Sequence, residues 1–263
     1  MTSITPEQVA RAIDGDRDAV AGIVTALERP FFHLALRMLM QHDDAEEACQ
    51  EALLRVVTRL SSWRGESRFS TWAWSVATRS VLDYGRGRAR RPLLSFDDFA
   101  LDLEQLRDDD AEERVEDAVL LAQVKVGCAR AMLQCLDGDH RVAYVLGEIL
   151  GVDGPEAAVA LGLAPAAYRK RLSRARQRLA AALSRSCGVR REEAGCRCHR
   201  RVAPARAKGR LDARDAATLD LPELREQVRS LDAIQATAQF FAADPQASVA
   251  ERVLPAVERA LGL

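Results

Sequence analysis

An all-α fold is predicted by three features of the sequence. Apolar residues recur at three-to-four spacing over long stretches, no alternating strand pattern competes with them, and the breaks fall at glycine, proline and runs of charge. The chain has 263 residues, 48% hydrophobic and 29% charged, which suits one large domain or two small ones and excludes an acidic disordered protein. Its 38 basic and 39 acidic groups leave a net charge of -1, an average that argues against a globally basic nucleic-acid binder. The distribution along the chain reverses that first implication. Lys125, Lys170 and Lys208 are the only lysines, so nearly all positive charge is arginine, whose planar fork suits phosphate and guanine edges. GC-rich coding DNA produces the same bias. No run approaches the ~18 apolar residues needed to span a bilayer, and the start MTSITPEQVA lacks the order of a secretory signal. A cytoplasmic location is expected. Cys49, Cys128, Cys135, Cys187, Cys196 and Cys198 are then thiols or metal ligands before they are disulfides.

Residues 1–92 read as a first helical domain. Between Asp44 and Leu60, Ala45, Ala48, Cys49, Ala52, Leu53, Val56, Val57 and Leu60 fall on one face, and Glu46, Glu47, Gln50, Glu51 and Arg55 on the other. This is an amphipathic helix with a polar side left for water or a partner. The loop SSWRGESRFS follows, with Ser70 or Thr71 as the expected cap of a helix that runs through Trp72 and Trp74 to Asp83 and ends near Gly85. At least one of Trp72 and Trp74 is expected in the core, with Trp63 and Phe69 more exposed. Arg86, Arg88, Arg90 and Arg91 come next with no acid among them, and Pro92 closes the domain.

Residues 93–117 form an acidic block answered only by Arg107 and Arg114, and such a block repels itself, so a flexible acidic linker is expected. Residues 118–185 are helical again. Asp153 is placed to cap a helix with Pro155 and Glu156 in its first turn, Gly162 sits where a tight turn needs positive φ, and a second helix starts at Ala164–Pro165. Tyr168, Leu172, Ala175, Leu179 and Leu183 form its buried stripe, which leaves Arg169, Lys170, Arg171, Arg174, Arg176 and Arg178 outside. A small helix, a glycine turn and a helix with one basic face is the arrangement that lays a recognition helix in the major groove. Arg169, Lys170 and Arg171 are best placed for base edges, and Arg174, Arg176 and Arg178 for phosphates. The aromatic residues and arginines between Ser61 and Trp74 add a surface able to stack unpaired bases.

The segment DDAEEACQEALLRVVTRLSSWRGESRFSTWAWSVATRSVLDYGRGRARR resembles region 2 of bacterial extracytoplasmic-function (ECF) sigma factors, and Leu136 to Leu183 resembles their region 4. Order, spacing and the acidic linker match together, over roughly residues 10–185. The resemblance implies two small helical domains, sigma region 2 in 1–92 and a helix-turn-helix region 4 in 118–185, in a dissociable, non-enzymatic subunit of RNA polymerase. It implies that Asp44, Glu47, Gln50 and Glu51 dock on the core enzyme. Trp63, Arg64, Arg68 and Phe69 would capture a base of the minus-ten element as the duplex melts, with Arg79, Ser80, Asp83, Tyr84, Arg86 and Arg88 on the adjoining DNA surface. The basic face from Arg169 to Arg178 would read the minus-thirty-five element. Core RNA polymerase and promoter DNA are the implied partners, with room for an anti-sigma factor. The chain departs from the pattern at Arg79–Ser80, where many relatives have Arg-Asn, at Val56–Val57, where a bulky aromatic is frequent, and at Asp153–Gly154–Pro155.

Beyond that core, residues 186–263 form a helical C-terminal extension. Cys187, Cys196, Cys198 and His199 offer a four-ligand zinc set, softer copper coordination, reversible thiol oxidation among arginines, or plain thiols. Cys49, Cys128 and Cys135 sit in helical patterns and read as core. Further on, Leu224, Val228, Leu231, Ala238 and Phe241 make an apolar stripe, and Ser248 to Glu251 a capping box before Pro255. The extension is expected to regulate in cis in response to metal or redox state, and no cofactor is required for the main activity. A second reading makes the chain a metal- or redox-responsive helix-turn-helix regulator that binds duplex operators without polymerase. An enzyme has little support, because no phosphate loop or nucleophile elbow is present and His33, His42 and His140 lack clustered partners.

Overall fold

The computed structural model describes residues 4–88, 94–105, 108, 118–188 and 190–211, with 255 and 259 besides. The elements are α1 Pro6–Ile13, α2 Arg17–Leu39, α3 His42–Thr58, α4 Phe69–Arg88, α5 Phe96–Gln105, α6 Ala118–Gln134, α7 Gly138–Tyr144, α8 Gly154–Ala160, α9 Pro165–Ser186 and α10 Val202–Ala207. A π-helical segment, Val145–Ile149, continues α7. Among the described residues the one β pairing is a bridge between Cys187 and Cys196, so the expected all-α class holds. The apolar stripe from Leu224 to Phe241 and the Ser248–Glu251 capping box lie outside the described residues.

Two compact units divide the chain. One groups residues 1–90, 145–171 and 247–263, the other residues 91–144 and 172–246. In the first, α2 is the central rod. It is long and apolar enough to cross a membrane by length and composition, yet Ile23, Leu27, Phe31 and Leu34 are completely buried among its neighbours. Asp16 caps its start by accepting from the Ala19 N–H at 3.1 Å, and Met40 ends it in a left-handed conformation at φ 66°. All eight apolar residues expected to face inward between Ala45 and Leu60 are buried, so α3 seats its hydrophobic face as its spacing dictates. Trp74 packs on Phe31 with ring centroids 5.6 Å apart and supplies the core tryptophan that the sequence leads one to expect.

His33 lies buried in α2, with Arg37 Nη1 at 2.9 Å from its Nδ1. Burial first, then the charges of Arg37 and Arg29, lower its pKa to about 3, so the ring is neutral and Nδ1 accepts from the guanidinium. A histidine held neutral in the fold and free to protonate when unfolded contributes stability that is complete above about pH 6.5 and is lost as pH falls toward 3. Urea unfolding should therefore lose up to about 1.4 kcal/mol per pH unit from this group below pH 6. His33→Gln should remove that part of the slope, and a slope identical in the two proteins would show that His33 is not its source.

In the second unit the described part of the acidic stretch, 94–105 and 108, differs from the expected flexible linker, and the rest of 93–117 lies outside the described residues. Residues 96–105 are the helix α5, which buries Phe99 and Leu103. Its charge is answered by arginines distant in sequence. Arg185 bonds Asp97 at 2.9 Å, and Arg201 and Arg210 both reach Asp102 at 2.8 Å. Burial alone would raise the Asp102 pKa, but the hydrogen bonds from Arg210 and Arg201 outweigh it and hold the carboxyl below its ordinary value. Counting only nearby bases, Arg107 and Arg114, hides this neutralisation.

Candidate nucleic-acid interface

The helix-turn-helix is built from α8, a Gly162 turn and α9. Asp153 stands at the N-cap position of α8 but its side chain makes no capping bond there; Pro155 sets the first turn. Gly162 has φ 65°, and the Leu163 N–H closes the turn on the Ala158 carbonyl at 2.8 Å. Tyr168, Leu172, Ala175 and Leu179 are buried and Leu183 half-buried. Arg169, Lys170, Arg174, Arg176 and Arg178 are exposed and Arg171 half-exposed, so α9 presents one basic face. Arg178 is also held by Asp137 at 2.9 Å. Burial would raise the Asp137 pKa, but bonds from the His140 N–H and ring and from Arg178 bring it down to about 2.

The aromatic segment is arranged differently from the expected exposure. Phe69 is buried rather than exposed, because Trp63 packs edge-on against it at 5.5 Å and the Trp72 ring lies tilted 5.4 Å away. Trp63 is half-buried and donates from Nε1 to the Ser67 carbonyl at 3.0 Å, which closes the loop. Arg64, Arg68 and Arg79 are exposed. Ser80 is completely buried and cannot line a surface in this conformation. Nor does Ser70 or Thr71 cap α4, which already begins at Phe69; both hydroxyls donate to a Glu156 carboxylate oxygen, Thr71 at 3.1 Å. The glutamate that suits the α8 helix dipole thus also ties α8 to the start of α4, a contact 85 residues apart that no local pattern announces. Helix α4 continues past the expected end at Gly85 to Arg88, carrying Arg86 into solvent beside Asp83 at 3.3 Å. The side chain of Arg88, and Arg90 and Arg91, lie outside the described residues.

On the polar side of α3, Glu47 is exposed, and Asp44, Gln50 and Glu51 are half-exposed. Tyr84 donates to Glu47 at 2.6 Å, and Arg55 pairs with Glu51 and lies 3.6 Å from Asp83. These bonds fix the outer face of α3 against α4.

The zinc or copper set expected at Cys187, Cys196, Cys198 and His199 finds no support. Among the described residues no group of three or more His, Cys, Asp or Glu stands where it could hold a metal ion. Cys187 and Cys196 are instead bridge partners, and Cys198 and His199 open a 3-10 turn. Of the three thiols read as core, Cys49 is buried, while Cys128 and Cys135 are half-buried. Burial raises the Cys128 pKa well above the usual thiol range, and Cys198, Cys187 and Cys196 add to it. Cys128 thus lies within electrostatic reach of the tail cysteines, which spacing in the sequence could not disclose.

The comparisons agree with this architecture. The model of Sigma-70 region 2 matches residues 23–91 and that of Sigma-70, region 4, residues 127–179. RNA polymerase sigma-H factor of Pseudomonas aeruginosa is 28% identical over 68% of this chain and 96% of its own length. ECF RNA polymerase sigma-E factor of Escherichia coli is 27% identical over 64% of this chain and 88% of its own length. ECF RNA polymerase sigma factor SigW of Bacillus subtilis is 32% identical over 40% of this chain, about half its own length at 52%. With both regions matched in order on an all-helical chain, this protein belongs to the ECF family of RNA polymerase sigma factors.

Proposed function

We propose that this chain joins bacterial core RNA polymerase in the cytoplasm and directs it to promoters as a non-catalytic subunit. The observation that carries the reading is the exposed basic face of α9 behind the Gly162 turn, on the same chain as an arginine-flanked aromatic loop. Region 2 is assigned to residues 1–92, with Asp44, Glu47, Gln50 and Glu51 meeting the core enzyme. Region 4 is assigned to 118–185, with Arg169, Lys170 and Arg171 reading the minus-thirty-five bases and Arg174, Arg176 and Arg178 its phosphates. Trp63, Arg64, Arg68, Arg79, Arg86 and Arg88 are assigned to the minus-ten element. Phe69, buried against Trp63 and Trp72, serves there by holding the loop or by emerging when a flipped base replaces one of those contacts. The extension from residue 186 is assigned a regulatory role in cis, and an anti-sigma factor remains a partner of the kind that region 2 and region 4 surfaces accept.

The test is reconstitution. The purified full chain, added to bacterial core RNA polymerase and a pool of genomic fragments from its own source, should yield discrete run-off transcripts that core enzyme alone does not give. Absence of both core binding and initiation overturns the proposal.

A further inference from the structure

Residues 187–188 and 190–201 form a small structure on the end of α9. The Gly188 N–H donates to the Cys196 carbonyl at 2.9 Å, which sets Cys187 and Cys196 side by side in a bridge. The approach is close enough that a Cβ on Gly188 would lie 2.3 Å from the Cys196 oxygen, so only glycine fits. Arg197 ties the turn from within by donating to the Cys196 carbonyl at 3.3 Å and to those of Ala194 and Glu192. Residues paired in a β-bridge have Cα atoms roughly 5 Å apart, inside the range of about 4.4–6.8 Å that a disulfide requires.

We propose that Cys187 and Cys196 are an oxidisable dithiol, a site at which a hydroperoxide forms a disulfide that staples the tail to the recognition helix. Both are half-buried thiols, reachable by a small oxidant. Arg190, Arg191, Arg197, Arg200 and Arg201 flank them in sequence. The helical cysteines are poorer nucleophiles, since burial raises the pKa of Cys49 and Cys128 and brings Cys135 to about 11.

The chemistry balances without a metal. One thiolate sulfur attacks a peroxide oxygen, the O–O bond breaks, and water or alcohol leaves with a sulfenic acid formed on sulfur. The neighbouring thiol attacks that sulfur, the S–S bond forms and water leaves, so two thiols lose two electrons to one hydroperoxide. The bond would join the residue after α9 to the segment that leads to Arg201 and Arg210, the two arginines on Asp102 of α5. This inference deepens the regulatory role assigned to the extension, but its test does not need polymerase.

Trypsin places the relevant thiols in separate peptides: Ser186–Arg190, Glu192–Arg197, Cys198–Arg200 and, for Cys128, Val126–Arg130. The full-length protein is treated with hydrogen peroxide, alkylated and digested without reduction, and its titratable thiols are counted. The expected result is a loss of two thiols and a cross-link between the first two peptides, released by dithiothreitol and retained in Cys198→Ser. Dominant linkage through the Cys128 or Cys198 peptide, absence of any cross-link, or stoichiometric retention of zinc or copper by a protein that peroxide leaves uncross-linked overturns the proposal.

Discussion

Replacing Arg169, Lys170 and Arg174 together by alanine should weaken holoenzyme binding to a promoter roughly a hundredfold at physiological salt, because base-edge and phosphate contacts are lost together. All three side chains are exposed on α9 and none belongs to its buried stripe, so the thermal midpoint should stay within about a degree or two of the parent. The slope of log affinity against log salt should fall by about 0.9, the share of the one phosphate assigned to Arg174. Arg178→Ala should cost less, since Asp137 already engages that guanidinium at 2.9 Å and binding DNA must first compete with it. Anisotropy of labelled promoter duplex at several salt concentrations separates these outcomes. An unchanged salt slope in the triple variant would remove α9 from the DNA interface.

The contrast between Arg174 and Arg178 shows where sequence reading is strong and where it stops. Periodicity defines which face of a helix is buried, since apolar side chains have nowhere else to go, and the stripes of α3 and α9 emerge as their spacing requires. Gly162 is equally legible, for its positive φ is a local demand of the chain. Contacts between distant segments leave no such mark. Glu156 looks like a helix-dipole residue until the fold sets it against Ser70 and Thr71. The acidic residues of α5 look self-repelling until Arg185, Arg201 and Arg210 arrive from about 90 to 110 positions away. Phe69 and Ser80 fail for a related reason. Both lie on α4, where loop proximity and a family pattern suggest exposure, but the burial of one side of a helix depends on what packs there.

Arg141 is the clearest case of a long-range role hidden in an ordinary charged residue, and its loss should be the most damaging single change to the second unit. It is buried in α7, and its guanidinium donates to the carbonyls of Leu133, Gln134 and Leu136 at 2.9, 3.0 and 2.9 Å. These carbonyls lie at the end of α6 and in the turn after it, where that of Leu133 also accepts from the Leu136 N–H at 3.1 Å, so the side chain of one helix completes the end of another. Charge-assisted bonds to buried acceptors are worth more than neutral ones, and removing the donor takes one from all three carbonyls at once. Arg141→Met, which keeps the length of the stem, should therefore cost about 3 kcal/mol and lower the thermal midpoint by roughly 10 °C. Arg141→Lys should recover only part of this, because an ammonium cannot span three carbonyls with the guanidinium fork's geometry. Since α7 runs directly into the π segment that precedes α8, the Met variant should also lose promoter binding as temperature rises, and regain it on cooling. A methionine variant within 1 kcal/mol of the parent would mean that solvent satisfies those carbonyls, and that the arginine is a passenger rather than the cap of α6.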